Sequence, residues 1–267
     1  MIPESEVHIH SRIVEFARTE EQHYQGAELN SFTLALSQVQ RYEFFLRTIL
    51  HRYDRTATLF TGAITRRQNL AKQREAGHDV TLLEAELLRQ IENLSPYIQL
   101  ESESFYLFAK ILLDRMAKFI EEYFRPAPSE KDLQRGYTAQ GSHNRFNKQF
   151  GNYATRRGLT LPATFLPLAR QLQEEISDFR DKHITHNIDT RTLHATAFSI
   201  DGSDFPRMMK ARNSSAQWDH NAKQVESVSI HALMRLLDKY FDAFFALIVV
   251  NREVSAFARM NTPPAAL

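Results

Sequence analysis

The sequence predicts an all-α fold, a multi-helix bundle with at most a small β-hairpin near the C-terminal third. Two observations carry this prediction. Apolar residues recur three and four positions apart over long stretches, which is the period of an amphipathic helix. Glycine and proline number only eight and nine among 267 residues, so few points interrupt these stretches. We therefore expect six to eight helices packed on one another.

The first third of the chain contains three stretches with helical periodicity. The first runs from 6 to 23, and the chain restarts after Gly26 at a plausible cap, Asn30-Ser31. From there the pattern continues to about residue 72, as either one very long helix or two helices broken near Gly62. Asp79 can cap a shorter third helix.

Ser95-Pro96 should end that shorter helix, since proline removes a backbone donor and clashes with the preceding turn. The segment 97–124 is the most apolar helix of this half, and Arg125-Pro126-Ala127-Pro128 should stop it. We expect it to be central, because its stripe is wide: Phe105, Phe108, Leu112, Met116, Phe119, Ile120 and Tyr123.

In the second half, a loop and a short helix are expected within 133–158, followed by a helix from about Ala163. The segment 192–200 alternates loosely and can pair with 224–230 as a small hairpin, with a long loop at 201–221 between them. A last helix is expected over 231–257. The predicted domains are an N-terminal helical hairpin or extension, 1–94, a helical bundle, 95–260, and a disordered tail, 261–267.

Composition sets limits on function and compartment. The formal net charge is only +1, so nothing global indicates nucleic acid or an anionic membrane. The chain has no cysteine, which excludes disulfides, thiolate zinc sites and a cysteine nucleophile. Neither a signal-like apolar core at the start nor a run of roughly 20 apolar residues is found. We expect a cytoplasmic protein with no membrane association.

The most informative stretch lies at the end of the helix expected from Ala163. Its apolar stripe, Phe165, Leu168, Leu172, Ile176 and Phe179, continues at the same spacing into His183 and His186. Arg180 lies on the flank of the stripe, and Asn187 follows one turn after His183. Cationic and polar side chains at core positions are costly unless they are paired or functional.

The run Phe179-Arg180-Asp181-Lys182-His183-Ile184-Thr185-His186-Asn187 resembles the signature of the HEPN superfamily. That signature is an Arg, commonly followed by Asn, Asp or His, with a His four to six residues further on. The resemblance covers 97–257 in architecture and only these few residues in detail. It implies a homodimer of helical bundles in which the Arg and His of both protomers meet in a cleft, and in active members a metal-independent cleavage of RNA.

The residue types suit that chemistry. The imidazole of His186 can take the proton of a ribose 2′-hydroxyl near neutral pH. The guanidinium of Arg180 can hold the phosphate and stabilise its developing charge. Asp181 points away from the stripe and can orient a partner group. His183 has the wrong spacing for the family His, but it is a candidate local partner of Arg180. By resemblance, the product carries a 2′,3′-cyclic phosphate.

The spacing of Arg180 and His186 matters for this hypothesis. On an ideal α-helix the two residues lie about 120° apart around the axis and about 9 Å apart along it. Three arrangements could bring the two side chains together. The long Arg180 side chain could extend to His186, the helix could loosen near Thr185, or Arg180 of one protomer could act with His186 of the other in a dimer. By resemblance, the setting is a toxin or defence system, with an antitoxin or a nucleotidyltransferase as partner protein.

Two other interpretations of the motif stay open. Lys182, His183 and His186 can be cations that favour the dipole at a helix C-terminus. Alternatively His183 and His186 can bind a metal together with Asp178 or Asp114, although neither His follows a Glu at the Glu-x-x-His spacing of di-iron bundles. No metal or cofactor is therefore expected. The alternative to a nuclease is a non-catalytic helical interaction or RNA-binding module in which an Arg/His cluster is structural.

A second candidate region is the basic, aromatic segment 133–158, which contains no acidic residue. Its cations Arg145, Lys148, Arg156 and Arg157 are candidates for RNA binding through phosphates, with Phe146, Phe150 and Tyr153 stacking on bases. Those aromatic residues can equally pack inward, because their spacing is helical. Further upstream, 41–74 carries eight cations against two acids, which we interpret as a solvated face balanced by acids such as Glu84, Glu86 and Glu92.

Overall fold

The computed structural model describes residues 11–24, 31–124, 142–178, 180–181, 208–211 and 225–257. These residues confirm the all-α, multi-helix fold, since strands account for two short segments only. The α-helices are α1 (Arg12–Glu20), α2 (Ser31–Glu75), α3 (Thr81–Tyr123), α4 (His143–Arg157), α5 (Phe165–Leu172) and α6 (Ile230–Val250). A π-helix (Gln173–Asp178) continues α5, and two 3-10 helices (Glu21–His23 and Arg252–Val254) follow α1 and α6.

α2 is one continuous helix of 45 residues, the first of the two alternatives that the periodicity allows. Gly62 does not interrupt it. A Cβ atom at that position would have no neighbouring atom within 4 Å, so packing does not require a glycine there. α2 ends near Gly77, whose positive φ of 90° turns the chain back toward α3.

α3 corrects the predicted break at Ser95-Pro96. The helix runs from Thr81 to Tyr123 with Pro96 inside it. Proline lacks the N–H that would bond to the carbonyl of Glu92 in a continuous helix. Because Pro96 and Glu92 are both exposed, water can bond to that carbonyl instead. The prediction that Asp79 caps this helix is confirmed, since its Oδ1 accepts the N–H of Thr81 at 3.1 Å.

The described residues fall into two compact units. Unit 1 lies within Met1–Arg47, Phe108–Asp178 and Arg235–Leu267, and unit 2 within Thr48–Leu107 and Phe179–Met234. The predicted division after Leu94 coincides with neither a helix end nor a boundary between these units. The long helices α2 and α3 each contribute one part to each unit.

Unit 1 has a core of aromatic side chains. Tyr24 stacks on Phe32 with ring centroids 4.4 Å apart, and the Tyr24 and Tyr123 hydroxyls are hydrogen-bonded at 2.7 Å. Burial, with the Tyr123 hydroxyl beside it, raises the pKa of Tyr24, so the Tyr24 phenol stays neutral. The 3-10 helix after α6 is joined to this core because Arg252 donates two hydrogen bonds to the buried carboxylate of Glu20.

Unit 2 contains the adjoining parts of α2 and α3. Glu84 of α3 pairs with Arg74 at 3.1 Å and with Arg67 at 3.9 Å, as predicted for this acid, whereas the balancing roles of Glu86 and Glu92 stay predictions. The buried carboxylate of Glu101 lies 3.5 Å from Arg52. Burial raises the pKa of Glu101 despite the opposing Thr56 and Arg52 contacts.

The small hairpin of unit 2 differs from the prediction in one strand. β1 (Met208–Ala211) pairs antiparallel with β2 (Val225–Val228), with Met208 opposite Val228 and Ala211 opposite Val225. β2 lies in the predicted segment, whereas β1 lies in the segment predicted as a loop. A strand at 208–211 leaves a shorter connection to β2, and shorter loops cost less entropy to close. The predicted first strand, 192–200, lies outside the described residues.

Candidate active site

The helix that leads to the predicted motif changes its hydrogen-bonding pattern before it reaches the motif. α5 ends at Leu172, and the next turn is the π-helix Gln173–Asp178. The predicted inner face is largely confirmed, because Leu172 and Ile176 are fully buried. Leu168 is only partly buried, and Ala169 takes the inner position beside it. The start of this helix is thus well predicted and its continuation is not.

The π-helix alters the geometry on which the motif was interpreted. A π-helix bonds each N–H to the fifth residue back, so a turn takes more residues than in an α-helix. The placement of Arg180 on the flank of the stripe assumes α-helical spacing from Leu172 and Ile176 onward. That assumption fails over Gln173–Asp178.

Arg180 and Asp181 are hydrogen-bonded to each other. The guanidinium Nε of Arg180 donates to Oδ1 of Asp181 at 2.8 Å, and Nη2 of the same side chain also contacts that oxygen. The side chains are 24% and 34% exposed, so the pair is half-buried and open to solvent. Asp181 thus pairs with Arg180, the residue before it in the chain. The prediction that Asp181 points away from the apolar stripe did not include this pairing.

The remaining motif residues, His183, His186 and Asn187, lie outside the described residues. The expected roles of His186 as general base and of His183 as local partner of Arg180 stay predictions. Of the four residues expected at the catalytic site, the structure brings together Arg180 and Asp181.

α4 decides between the two interpretations of the basic segment. Phe146 and Phe150 are fully buried and Tyr153 nearly so, packed against each other and against Phe165 of α5. They are core residues and cannot stack on bases. Gly158, with φ of 65°, ends the helix as a left-handed C-cap.

The predicted RNA-binding cations lie on the opposite side of α4 or at its end. Arg145, Lys148 and Arg156 are exposed, and Arg157 is partly buried. Arg145 and Arg157 make further interactions within the chain. Phosphate contacts from this surface stay a prediction. The prediction of base stacking by this helix is wrong, because its aromatic side chains are buried.

Sequence reasoning missed a buried polar cluster at the start of α4, which we call the His143 cluster: Lys110, Asp114, His143, Asn147, Gln173. Asp114 accepts hydrogen bonds from the Lys110 ammonium at 2.5 Å and from the His143 backbone N–H at 2.7 Å. Asn147 donates its side-chain amide to the carbonyl of Ala169 and to Oε1 of Gln173, both at 2.9 Å.

The His143 imidazole is fully buried and neutral. Burial, together with the nearby Lys110 charge, lowers the pKa of His143 to about 3. Among the described residues its Nε2 has no hydrogen-bond partner, nor have Oδ1 of Asn147 and Oγ of Ser177. Each such unsatisfied buried atom costs about 1–3 kcal/mol. The only signal in the sequence was a Lys and an Asp four positions apart in the most apolar helix.

The described residues do not include His183 and His186, the two imidazoles considered as metal ligands. They contain no group of three or more His, Asp or Glu side chains arranged to hold a metal ion. Asp114, one of the two acids considered as ligands, is engaged by Lys110 and by the His143 N–H. In unit 2, Asp54 and His231 form a pair at 2.7 Å.

The fold and the motif together define an all-α protein with a half-buried Arg–Asp pair that follows a π-helix. Comparison with protein-family models, with curated proteins and with solved structures gives no match to this chain. No helix in the described part of the chain combines the length and the apolar character needed to cross a membrane.

Proposed function

We propose that the chain is a HEPN-like, metal-independent endoribonuclease in which Arg180 and His186 are the working pair. The proposed compartment is the cytoplasm. The proposed assembly is a homodimer, with an antitoxin or a nucleotidyltransferase as a partner in a toxin or defence system. The support for this proposal is the motif, together with one structural observation at Arg180.

That observation is the contact between Arg180 and Asp181. Nε and Nη2 form the edge of a guanidinium that grips a carboxylate or a phosphate, and here both are directed at one oxygen of Asp181. The pair is partly exposed, so an incoming phosphate can displace the carboxylate. Asp181 then acts as a resting partner that keeps the guanidinium oriented while no RNA is bound.

The proposed reaction needs no metal. His186 takes the proton from the ribose 2′-hydroxyl, and the 2′-oxygen forms a bond to phosphorus as the bond to the 5′-oxygen breaks. The leaving 5′-oxygen takes a proton from solvent, and His183 is the second imidazole available to assist. Arg180 stabilises the charge that grows on the phosphate oxygens. The products are a 2′,3′-cyclic phosphate and a free 5′-hydroxyl.

The same contact also supports a second function of a different class. Arg180 already has a charged partner in its own chain, so the motif can be a structural Arg/His cluster. The chain is then a non-catalytic helical interaction or RNA-binding module. In that case removal of Arg180 changes stability or assembly, and no RNA is cut.

Cleavage of a mixed RNA pool in EDTA tests the proposal. The purified protein is compared with Arg180→Ala and His186→Ala, and with the matched variants Arg170→Ala and His51→Ala, which remove an exposed side chain of the same type. The proposal expects cleavage with cyclic-phosphate ends by the parent and both matched variants, and loss of cleavage in the two motif variants.

Two results would reject this function. Equal cleavage by all five proteins indicates a contaminating nuclease, and an inert parent removes the catalytic assignment for that pool. If the motif variants also melt earlier or change their oligomeric state, the structural cluster is supported instead.

A further inference from the structure

The antiparallel helices of residues 59–97, which we call the α2–α3 hairpin, leave much of their apolar surface open. Within this range the buried residues are Phe60, Ala63 and Val80. Leu59, Leu83 and Tyr97 are 49%, 55% and 56% exposed. Two helices touch along a single line, so a hairpin cannot enclose its apolar residues by itself. Exposed apolar patches of this kind mark sites where another protein surface packs.

The open apolar residues form one stripe on each helix of the hairpin. On α3 the spacing alternates between three and four residues, which is the spacing of a helix–helix contact, over Leu83, Leu87, Gln90, Leu94 and Tyr97. On α2 the same spacing gives Leu59, Ala63, Arg66 and Leu70. Each leucine of the two stripes is exposed or only partly buried.

An ion pair indicates that the two stripes lie on the same side of the hairpin. Arg52 of α2 and Glu101 of α3 are 3.5 Å apart. Leu59 lies seven residues, or two turns, after Arg52, and Leu94 lies seven residues before Glu101. Each leucine therefore shares a helix face with one member of the ion pair. The two stripes combine into one surface, which we call the apolar face.

The charges of the hairpin are separated between its helices. The α2 part, 59–75, has four Lys or Arg and one acid, whereas the α3 part, 81–97, has three acids and one Arg. With Asp79 in the turn, the hairpin carries five charges of each sign, so it offers no net attraction to RNA or to an anionic membrane. A second copy of the hairpin is complementary if its acidic α3 lies on the basic α2. Packing of α2 on α2 would bring like charges together.

The levels of the stripes along the hairpin fit this arrangement. Arg74 and Arg67 both contact Glu84, at 3.1 and 3.9 Å. Leu70 lies midway between the two arginines in sequence, so it lies level with Glu84 and with the neighbouring Leu83. A two-fold axis parallel to the helices keeps these levels, and it therefore places Leu70 of one copy against Leu83 of the other.

We propose that the α2–α3 hairpin binds the same hairpin of a second copy of this chain, about a two-fold axis parallel to the helices, so that α2 of each copy packs on α3 of the other. The four helices enclose both apolar faces. Arg66 and Gln90, the polar members of the stripes, meet between copies, where the guanidinium can donate to the amide oxygen. This inference rests on residues 59–97 alone and not on the proposed ribonuclease, whose dimer is expected at the motif.

Sedimentation equilibrium tests the interface with Leu83→Asp and with Leu82→Asp as the matched control. Both leucines are exposed and lie in the first turn of α3, but Leu82 lies off the stripe. The parent should be a dimer at micromolar concentration. Leu83→Asp should raise the dimer Kd about 100-fold or more, because symmetry places two carboxylates in the apolar interface, and Leu82→Asp should change it less than about threefold.

A monomeric parent overturns the proposal and leaves the apolar face to a different protein, and equal Kd values for the two Asp variants overturn it as well. Circular dichroism checks that both variants keep the helical content of the parent. If Leu83→Asp does not fold, Tyr97→Asp carries the same measurement. Arg180→Ala, which the proposed function expects to lose cleavage, should keep the dimer Kd of the parent, so the two proposals can fail separately.

Disulfide cross-linking tests the arrangement of the helices, because the chain has no cysteine of its own. Leu70→Cys and Leu83→Cys proteins are oxidised separately and after mixing. The mixture should give covalent dimer in high yield, since Leu70 of one copy faces Leu83 of the other, and Leu82→Cys in place of Leu83→Cys should give little. No cross-link in the mixture, or efficient cross-linking of Leu83→Cys alone, overturns the packing of α2 on α3.

Discussion

The carboxylate of Glu43 accepts the backbone N–H of Arg12 at 2.9 Å, although the two residues are 31 positions apart. It also accepts the N–H of Ile13 at 3.1 Å and the Ser11 hydroxyl at 2.5 Å. A fully buried acid of α2 therefore satisfies the first N–H groups of α1 and favours its dipole. Arg47 compensates the charge, with Nε 2.9 Å from the same carboxylate.

Replacement of Glu43 should therefore be strongly destabilising. Glu43→Ala leaves the α1 N-terminus without its acceptor and Arg47 with one carboxylate fewer, and breaking a buried pair costs about 3–5 kcal/mol. Urea denaturation measures this loss, with Glu86→Ala, an exposed acid of α3, as the control. A loss no larger than that of Glu86→Ala would show that α1 does not depend on this contact.

The buried His143 should make the protein less stable as the pH falls. Its pKa is about 3 in the folded chain and about 6.5 when unfolded, so between these values only the unfolded state binds the proton. From pH 6 to pH 4 the parent should lose about 1.4 kcal/mol per pH unit relative to His143→Gln. Denaturation at several pH values measures the difference. A difference that does not change with pH would mean that His143 binds a proton as readily in the folded state as in the unfolded state.

Glu101 should have the opposite pH dependence. Its pKa is raised by burial, so the folded state binds the proton more tightly than the unfolded state, and the stability it contributes falls as the pH rises above about 4.3. Glu101→Gln should therefore be more stable relative to the parent at pH 7 than at pH 4. Thermal melts at both pH values test this, with Glu92→Gln as an exposed control. A larger gain at pH 4 contradicts the assignment.

Pro96 offers a stabilising substitution. Inside α3 it removes a backbone hydrogen bond, and proline costs about 3 kcal/mol more than alanine in a helix interior. Pro96 is exposed, so Pro96→Ala should raise Tm without disturbing the core. Asn93→Ala, on the same exposed stretch, provides the baseline for helix propensity. A lower Tm for Pro96→Ala than for the parent would show that the proline bends α3 in a way that its packing requires.

Asp181→Asn tests the exchange of Arg180 between a carboxylate and a phosphate. Without the carboxylate charge, Arg180 should bind RNA phosphate more readily, by about two- to fivefold in Kd if the competing pair is worth about 0.5–1 kcal/mol. Fluorescence anisotropy with a labelled RNA measures this in EDTA. Asp178→Asn, three residues earlier, controls for the general loss of negative charge. Weaker binding by Asp181→Asn would show that Asp181 orients Arg180 for RNA.

The features predicted from sequence are those with a local cause. Asp79 caps α3 because its own side chain reaches the second N–H beyond it, and the burial of Leu172 and Ile176 follows from helical spacing. Pro96 misled the prediction, because the cost of a proline depends on whether the freed carbonyl faces water. That exposure is a property of the fold.

The candidate site was less predictable. The hydrogen bond from Asn147 to the Ala169 carbonyl beside the π-helix spans 22 positions, and the Asp114 contact to the His143 N–H spans 29 positions. No local pattern encodes such pairs. Arg180 and Asp181 are adjacent in sequence, yet their side chains could have faced apart, so their pairing was also beyond reach of periodicity.

The contact between α1 and α6 has a consequence for synthesis on the ribosome. Arg12 donates to the Asp238 carbonyl at 2.6 Å across 226 positions, and it also pairs with the Asp242 carboxylate. At elongation rates of about 5–20 residues per second, α1 emerges roughly 10–45 seconds before this partner exists. During that interval the N-terminal helix can use Glu43 but lacks α6. The packing of α1 in unit 1 is therefore completed late in translation. Truncation before α6 should leave α1 accessible to proteases.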